Sequence, residues 1–441
     1  MTYEEALAYL ENYTWSKTRL GLERTRELCA KMGDPQKKIK FIHVGGSNGK
    51  GSTCAMLASI LRAAGYRTGL YTSPYIQTFC ERIQINGENI PGSRLAKITE
   101  KLRDAAESME DHPSWFEMVT AVAFQYYMEE RCDIVVLEVG MGGEFDSTNV
   151  IDAPEVAVLT NIGLEHTEYL GDTIEEIATT KSGIIKPGCD VVSYDNSPEV
   201  KTIIAEAAEK SGVPLVFADP DKITLRNRDL SGQSFEWEGS EYKLPLHGEH
   251  QLKNASVVME VIRTLRKRGW KISDGAVRRG LAEVKWPARF QILAREPLFI
   301  LDGGHNPQCA EAAVKCFEDL LPGQRADLLL GVLSDKDYKQ MLDILEPYAA
   351  SFHCIAPKYE RALAAGVLAD EIKSRGFDTF AYEDLDSALE SVLDSAADSG
   401  RPVMCFGSLY LAGEILDEFG GVYKKWLRGR RINANDALTE E

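Results

Sequence analysis

Phe41-Ile-His-Val-Gly-Gly-Ser-Asn-Gly-Lys-Gly-Ser52 is the stretch that decides the fold. Phe41 to Val44 is a short apolar run that reads as a strand, and the small residues Gly45 to Gly51 read as a turn. Ser52 then opens a helix, with Met56, Leu57, Ile60 and Leu61 recurring at helical spacing. Glycines let backbone N–H groups close on an anion, and the start of the helix adds its positive end. Lys50 supplies a mobile charge at the β- and γ-phosphates. The match to GxxxxGK[ST] is loose: Val44 stands where the first Gly belongs, and Gly51 follows the lysine. The hydroxyl that ordinarily binds magnesium is therefore missing, so Ser52 or a serine elsewhere must serve. ATP is the expected ligand.

Working outward, 441 residues exceed one ordinary core and imply two domains. With 44% apolar and 27% charged residues, the composition is that of a soluble globular protein. Fifty Lys and Arg against 68 Asp and Glu give a net charge of −18, which argues against nucleic acid or an anionic membrane as partner. Nine scattered cysteines, with no CxxC pair, suit a reducing cytoplasm and argue against a disulfide framework or zinc site. Met1-Thr-Tyr-Glu-Glu is acidic and lacks an apolar signal core, so no secretory signal is expected. No run of apolar residues is long enough to span a bilayer, and a cytoplasmic monomer is expected.

Residues 1–38 read as helical with a break near Tyr13 to Gly21. Beyond Phe41, strands at Thr68–Tyr71, Ile134–Val139 and Val156–Thr160 alternate with helices, while 190–245 holds weaker strands around turns such as Gly239-Ser240. Asp133 to Val139 is nearly continuously apolar, as a strand buried on both faces of a parallel sheet should be. The texture changes around Trp286-Pro-Ala-Arg-Phe-Gln291 and Arg295-Glu-Pro297. Alternation then restarts with strands Leu298–Leu301, Leu328–Val332, Phe352–Ile355 and Val403–Phe406, and helices near 308–320, 337–347, 384–396 and 409–419. The fold class is α/β with two doubly wound domains: a P-loop ATPase-like domain over 1–294, with a mainly parallel sheet, and a smaller Rossmann-like domain over 295–441. A cleft between them is expected, and the last dozen residues read as frayed.

Strand ends are where open α/β sheets place ligands. Glu138 closes the most apolar strand ahead of Gly140-Met-Gly-Gly-Glu-Phe-Asp-Ser-Thr-Asn149, as a Mg·ATP site requires. His166 follows the loop Asn161-Ile-Gly-Leu-Glu, and Lys181 lies towards the end of a helix. Taken alone, His166 reads as structural and Lys181 as surface charge. His250-Gln-Leu-Lys-Asn254 offers amides for an adenine edge, and Arg289 can reach phosphates from the hinge. Leu301-Asp-Gly-Gly-His-Asn-Pro307 repeats the strand, acid and glycine pattern in the second domain.

In order along the chain, these motifs resemble the folylpolyglutamate synthase/dihydrofolate synthase family of Mur ligases. The residues that carry the resemblance begin with Ser47-Asn-Gly-Lys-Gly-Ser52, Thr72-Ser-Pro74 and Phe79-Cys-Glu-Arg-Ile-Gln-Ile-Asn-Gly87. Glu138-Val-Gly-Met-Gly-Gly143, His166-Thr-Glu-Tyr-Leu-Gly171 and Lys181-Ser-Gly-Ile-Ile-Lys-Pro-Gly188 follow. Trp286-Pro-Ala-Arg289, Asp302-Gly-Gly-His-Asn-Pro307 and Gly407-Ser-Leu-Tyr-Leu411 complete the set.

The resemblance implies an acid–amino-acid ligase that joins L-glutamate to dihydropteroate or folate through an acyl phosphate. It implies that Gly49, Lys50, Gly51 and Ser52 hold the triphosphate, and that Asn254, Arg289, Asp302 and His305 contact ATP. Ser73, Glu138, His166 and a carbamylated Lys181 would bind two Mg2+ ions, with a monovalent cation as a further candidate. Lys50, Lys181 and His166 would be catalytic. Carbamylation needs a neutral amine, whose pKa nearby cations would lower. Gly21, Leu22, Arg82, Phe116, Glu117, Phe145, Asp146, Ser147 and Ser408 would hold pteroyl or glutamyl substrate. The chain departs from the usual pattern at Tyr75, Glu144, Thr180 and Ser182, and none of these removes a ligand. Rival readings are a peptidoglycan-precursor Mur ligase, a phosphotransferase or GTPase, and a nucleotide-binding homologue without catalysis. No Asn-Lys-x-Asp guanine motif supports the GTPase.

Overall fold

The first strand, β1 (Phe41–Gly45), has every residue buried. In the computed structural model, which describes residues 1–12, 21–165 and 167–430, it lies mid-sheet. Its sheet also contains β2 (Thr68–Tyr71), β3 (Ile83–Ile85), β4 (Glu88–Asn89), β5 (Ile134–Glu138), β6 (Val156–Leu159), β7 (Asp190–Ser193) and β8 (Leu215–Phe217). The eight strands run in the order β4-β3-β2-β5-β1-β6-β7-β8. All pairings are parallel except those of β3 with β2 and with β4. Because β1 is flanked by β5 and β6 in register (Val44 opposite Glu138, Gly45 opposite Leu159), the turns after these strands emerge at one edge. β5 is buried throughout, which is why its sequence is continuously apolar rather than alternating.

The helix after β1 spans Lys50–Ala63, two residues earlier than the expected start at Ser52. Gly49 caps it with φ +86°, a left-handed conformation that glycine adopts without strain. β9 (Ile223–Asp229), β10 (Gly232–Trp237) and β11 (Ser240–Leu244) form a separate three-stranded sheet, with left-handed Glu238 and Gly239 turning β10 into β11.

A second sheet is built from β12 (Gln291–Arg295), β13 (Leu298–Leu301), β14 (Ala326–Leu330), β15 (Ala349–Cys354), β16 (Thr379–Ala381) and β17 (Val403–Phe406). Its order is β12-β13-β17-β14-β15-β16, antiparallel only between β12 and β13. The helices Pro307–Leu320, Tyr338–Leu345 and Leu385–Ser399 fall near their expected ranges. The last described helix runs Leu409–Arg430, eleven residues past the expected 419. Gly420-Gly421 resembles a stop, yet Val422, Tyr423, Trp426 and Leu427 continue the buried stripe and sustain the helix.

The chain divides into two compact units. One comprises Met1–Leu225, Phe235–Leu244 and Gln251–Val284; the other comprises Arg226–Ser234, Pro245–His250 and the residues from Lys285 onward. This division falls at 284/285 rather than the expected 294/295. Gln291–Arg295, in the stretch where the texture changes, pairs with β13 as an edge strand of the second sheet. Residues 431–441, expected to fray, lie outside the described residues, as does the break at 13–20. Among the described residues no helix is long and apolar enough to cross a membrane.

Candidate active site

The turn after β1 is shaped by close approach. Gly46 has φ +144°, and a Cβ there would sit 1.9 Å from Thr160 Oγ1, so only glycine fits. Ser47 and Asn48 are tied down by backbone N–H donation to Asn161 O at 2.7 and 3.2 Å. The Ser47 hydroxyl donates to Gly163 O at 2.9 Å, locking the turn to the loop after β6. Onto this turn come two ammonium groups. Lys50 Nζ donates to Gly46 O at 2.8 Å and to Ser47 O at 2.9 Å. Lys181 Nζ donates to the same Gly46 O at 3.0 Å, and to Glu165 Oε1 at 2.7 Å.

Lys181 is 1% exposed, so its charge has lost its water shell. Burial drives its pKa down to about 8; the Glu165 carboxylate opposes this and Lys50 adds to it. Burial therefore outranks the neighbouring cations that the sequence reading named as cause. The helix Ile174–Ser182 places Lys181 in its last turn, as expected, but facing inward.

At the neighbouring strand ends, Glu138 closes β5 and is 4% exposed, and its Oε2 accepts from Ser73 N at 3.1 Å. The two residues expected as ligands are thus neighbours, joined through the Ser73 backbone. His166 lies outside the described residues, and among those described no three His, Cys, Asp or Glu side chains gather as a ready metal cluster. A glutamate carboxylate and a serine hydroxyl are the hard oxygen donors that suit Mg2+.

Ser52 and Asn254 also come together. Gln251 Nε2 donates to Ser52 Oγ, and Asn254 Nδ2 to Gln251 Oε1, each at 3.2 Å. A Cβ on Gly49 would fall 2.6 Å from Asn254 Oδ1, so the amide packs directly on the turn.

The expected substrate residues divide. Leu22 and Phe145 line a cavity of about 760 Å³ with Arg26, Lys37, Asp152 and Lys186. Phe116 and Asp146 meet around Gly140, where a Cβ would lie 2.4 Å from Phe116 Cζ and 3.1 Å from Asp146 Oδ2. Ser147 is 8% exposed beside them. Glu117 instead caps its own helix through Ser114 N at 2.6 Å and pairs with Arg24 Nε at 3.1 Å. Arg82 is packed against Trp115 and Tyr75, its guanidinium carbon 4.8 and 5.0 Å from the ring centres. Gly21 takes φ +139° at the edge of the undescribed segment.

In the second unit, Asp302 closes β13 and clamps the preceding turn. It accepts from Phe290 N at 2.9 Å and Gly304 N at 2.7 Å, and its pKa is raised by burial, with Arg289 opposing. Ala288 (φ 54°) and Phe290 (φ 46°) flank Arg289 in the left-handed region, which costs non-glycine residues about 1–2 kcal/mol each. Strain of that kind collects at functional turns. His305 Nδ1 is 3.1 Å from Gly303 O, and Ser408, 2% exposed, accepts from Tyr410 N at 3.1 Å.

Sequence reasoning missed Glu165, Thr160, Gln251, Arg24 and Lys186. Glu165 and Gln251 lay inside quoted motifs, but their partners are 16 and 199 residues away, and no local pattern encodes that.

Residues 44–262 match the Mur ligase middle domain, and residues 288–409 match the Mur ligase glutamate ligase domain. The chain is 34% identical to a dihydrofolate synthase/folylpolyglutamate synthase of Bacillus subtilis, covering 94% of this chain and 98% of that protein. Mycobacterium tuberculosis folylpolyglutamate synthase, solved with ADP and AMPPCP, superposes with a TM-score of 0.85 at 30% identity, over 95% of this chain and 99% of that one. An FPGS–AMPPCP–folate complex gives 0.82 at 30% identity, over 95% and 100%. With strand-end turns, glycines and paired ammonium groups in place, the chain belongs to the folylpolyglutamate synthase/dihydrofolate synthase family of Mur ligases.

Proposed function

We propose that this ligase joins L-glutamate to the carboxylate of dihydropteroate or of a folate, at the expense of ATP. The observation that carries the reading is the convergence of Lys50 and Lys181 on Gly46 O, with Ser73 and Glu138 paired alongside. Family membership supplies the chemistry. The acceptor carboxylate (pteroyl in dihydropteroate, glutamyl in a folate) attacks the γ-phosphorus, an acyl phosphate forms and ADP leaves. The neutral amine of glutamate then attacks the acyl carbon, phosphate departs and a proton is released. The chain provides positioning and charge rather than a nucleophile. Lys50 and the N–H groups of the glycine turn neutralise the phosphates, while Arg289, Asp302 and Asn254 are assigned to ATP. Glu138 and Ser73 would hold Mg2+, with His166 and Lys181 at a second site; bound there, the ion shields phosphate charge. A lysine with a pKa near 8 carries enough neutral amine to take up CO2, which supports carbamylation of Lys181.

Phe116, Phe145 and Asp146 are the assigned pteroyl contacts, Ser408 is assigned to substrate, and His305 joins the ATP contacts. ADP release is the test, comparing dihydropteroate with tetrahydrofolate, each with and without L-glutamate. Lys50→Ala and Glu138→Ala are expected to abolish glutamate-dependent release. Near-normal turnover in either variant contradicts the site.

A further inference from the structure

A polar relay runs from β1 into the loop that carries Asp146. His43 is 0% exposed, and its Nε2 lies 2.8 Å from Thr148 Oγ1. Thr148 donates its backbone N–H to Asp146 Oδ1 at 3.0 Å, and its hydroxyl to the same oxygen. A threonine hydroxyl has a single proton. With that proton on the Asp146 bond, His43 must donate from Nε2, which leaves Nδ1 bare. Nδ1 is buried without a hydrogen-bond partner, which a bare acceptor tolerates better than an N–H would. Burial also holds the ring's pKa well below the usual histidine value, with Lys186 adding to the effect, so the imidazole stays neutral.

The relay fixes one oxygen of the carboxylate, Oδ1, and makes no bond to the other. Asp146 Oδ2 accepts from Met141 N at 2.9 Å and lies against Gly140, where Phe116 also packs. A flat ring with N–H donors on one edge would meet an aromatic ring and a carboxylate oxygen there. We infer that His43 is a positioning residue: through Thr148 it holds Asp146 so that Oδ2 is the oxygen presented to the donor edge of the pteroyl ring. This rests on the assignment of Asp146 and Phe116 to that substrate.

The test combines kinetics with histidine 15N NMR on the full chain. Thr148→Val and His43→Leu should each raise KM for dihydropteroate about tenfold while leaving KM for ATP and glutamate in place. His43→Gln, whose amide N–H can stand where Nε2–H stood, should recover most of the loss. The NMR spectrum should show a neutral Nε2–H tautomer of His43 between about pH 6 and 8. Unchanged KM values in Thr148→Val, equal rises for all three substrates, or an Nδ1–H tautomer would each overturn the inference. If the wild type shows no glutamate-dependent turnover, the ligase reading falls, and the tautomer alone decides whether the relay exists.

Discussion

Lys186 shows how a single half-buried charge sets a pH dependence. Its Nζ donates to Asn149 O at 2.7 Å and to Ile151 O at 2.5 Å on the wall of the cavity shared with Leu22 and Phe145. Burial lowers its pKa from the usual lysine value to about 8; Arg26 adds to this and Asp152 opposes it. Between pH 8 and the ordinary lysine range the unfolded chain therefore binds a proton that the folded chain does not. Stability contributed at this position rises with pH across that window. Urea unfolding at several pH values should show wild type gaining on Lys186→Met between about pH 8 and 10. A constant difference between the two would contradict the assignment. The lysine was visible in the sequence only as part of a family motif, because its partners are backbone carbonyls 35 and 37 residues away.

At the scale of elements, the helix Lys50–Ala63 is held from behind by the helix Asp274–Ala282. Ser59 Oγ donates to Gly280 O at 2.7 Å, and a Cβ on Gly280 would fall 2.4 Å from Ile60 Cα. Backbone cannot give way cheaply, so Gly280→Ala should destabilise by about 1–3 kcal/mol despite alanine's better helix propensity. Gly275→Ala, where the nearest atom is 3.8 Å away, should instead be neutral or slightly stabilising. Denaturant midpoints for the two variants check the contrast; equal shifts would mean that the helices are not in contact as described. The strand–turn–helix unit, β5 and the strands at 68–71, 298–301 and 403–406 were legible because burial and local period agree there. β12, β16 and the second half of the helix Leu409–Arg430 were not. Short edge strands depend on a partner distant in sequence, and a Gly-Gly pair masks a stripe that tertiary packing maintains.

Across the whole molecule, the net charge of −18 must be reconciled with anionic ATP and an anionic acceptor. On the proposed assignment the resolution is local: Lys50 stands at the glycine turn in the first unit, and Arg289 stands beside Asp302 in the second, while Lys181, once carbamylated, adds an anionic metal ligand rather than a cation. Order of motifs, rather than any single motif, made the family legible. The turn that carries Gly49 and Lys50 was legible in the sequence, but the pairing of His43 with Thr148 was not. The central claim is that a substrate carboxylate, activated as an acyl phosphate, receives the amine of L-glutamate. Dihydropteroate labelled with 18O in its carboxylate tests this most directly, by mass spectrometry of the phosphate released in the presence of ATP and L-glutamate. One 18O atom per phosphate is predicted. Unlabelled phosphate, with amide product still formed, would contradict the account.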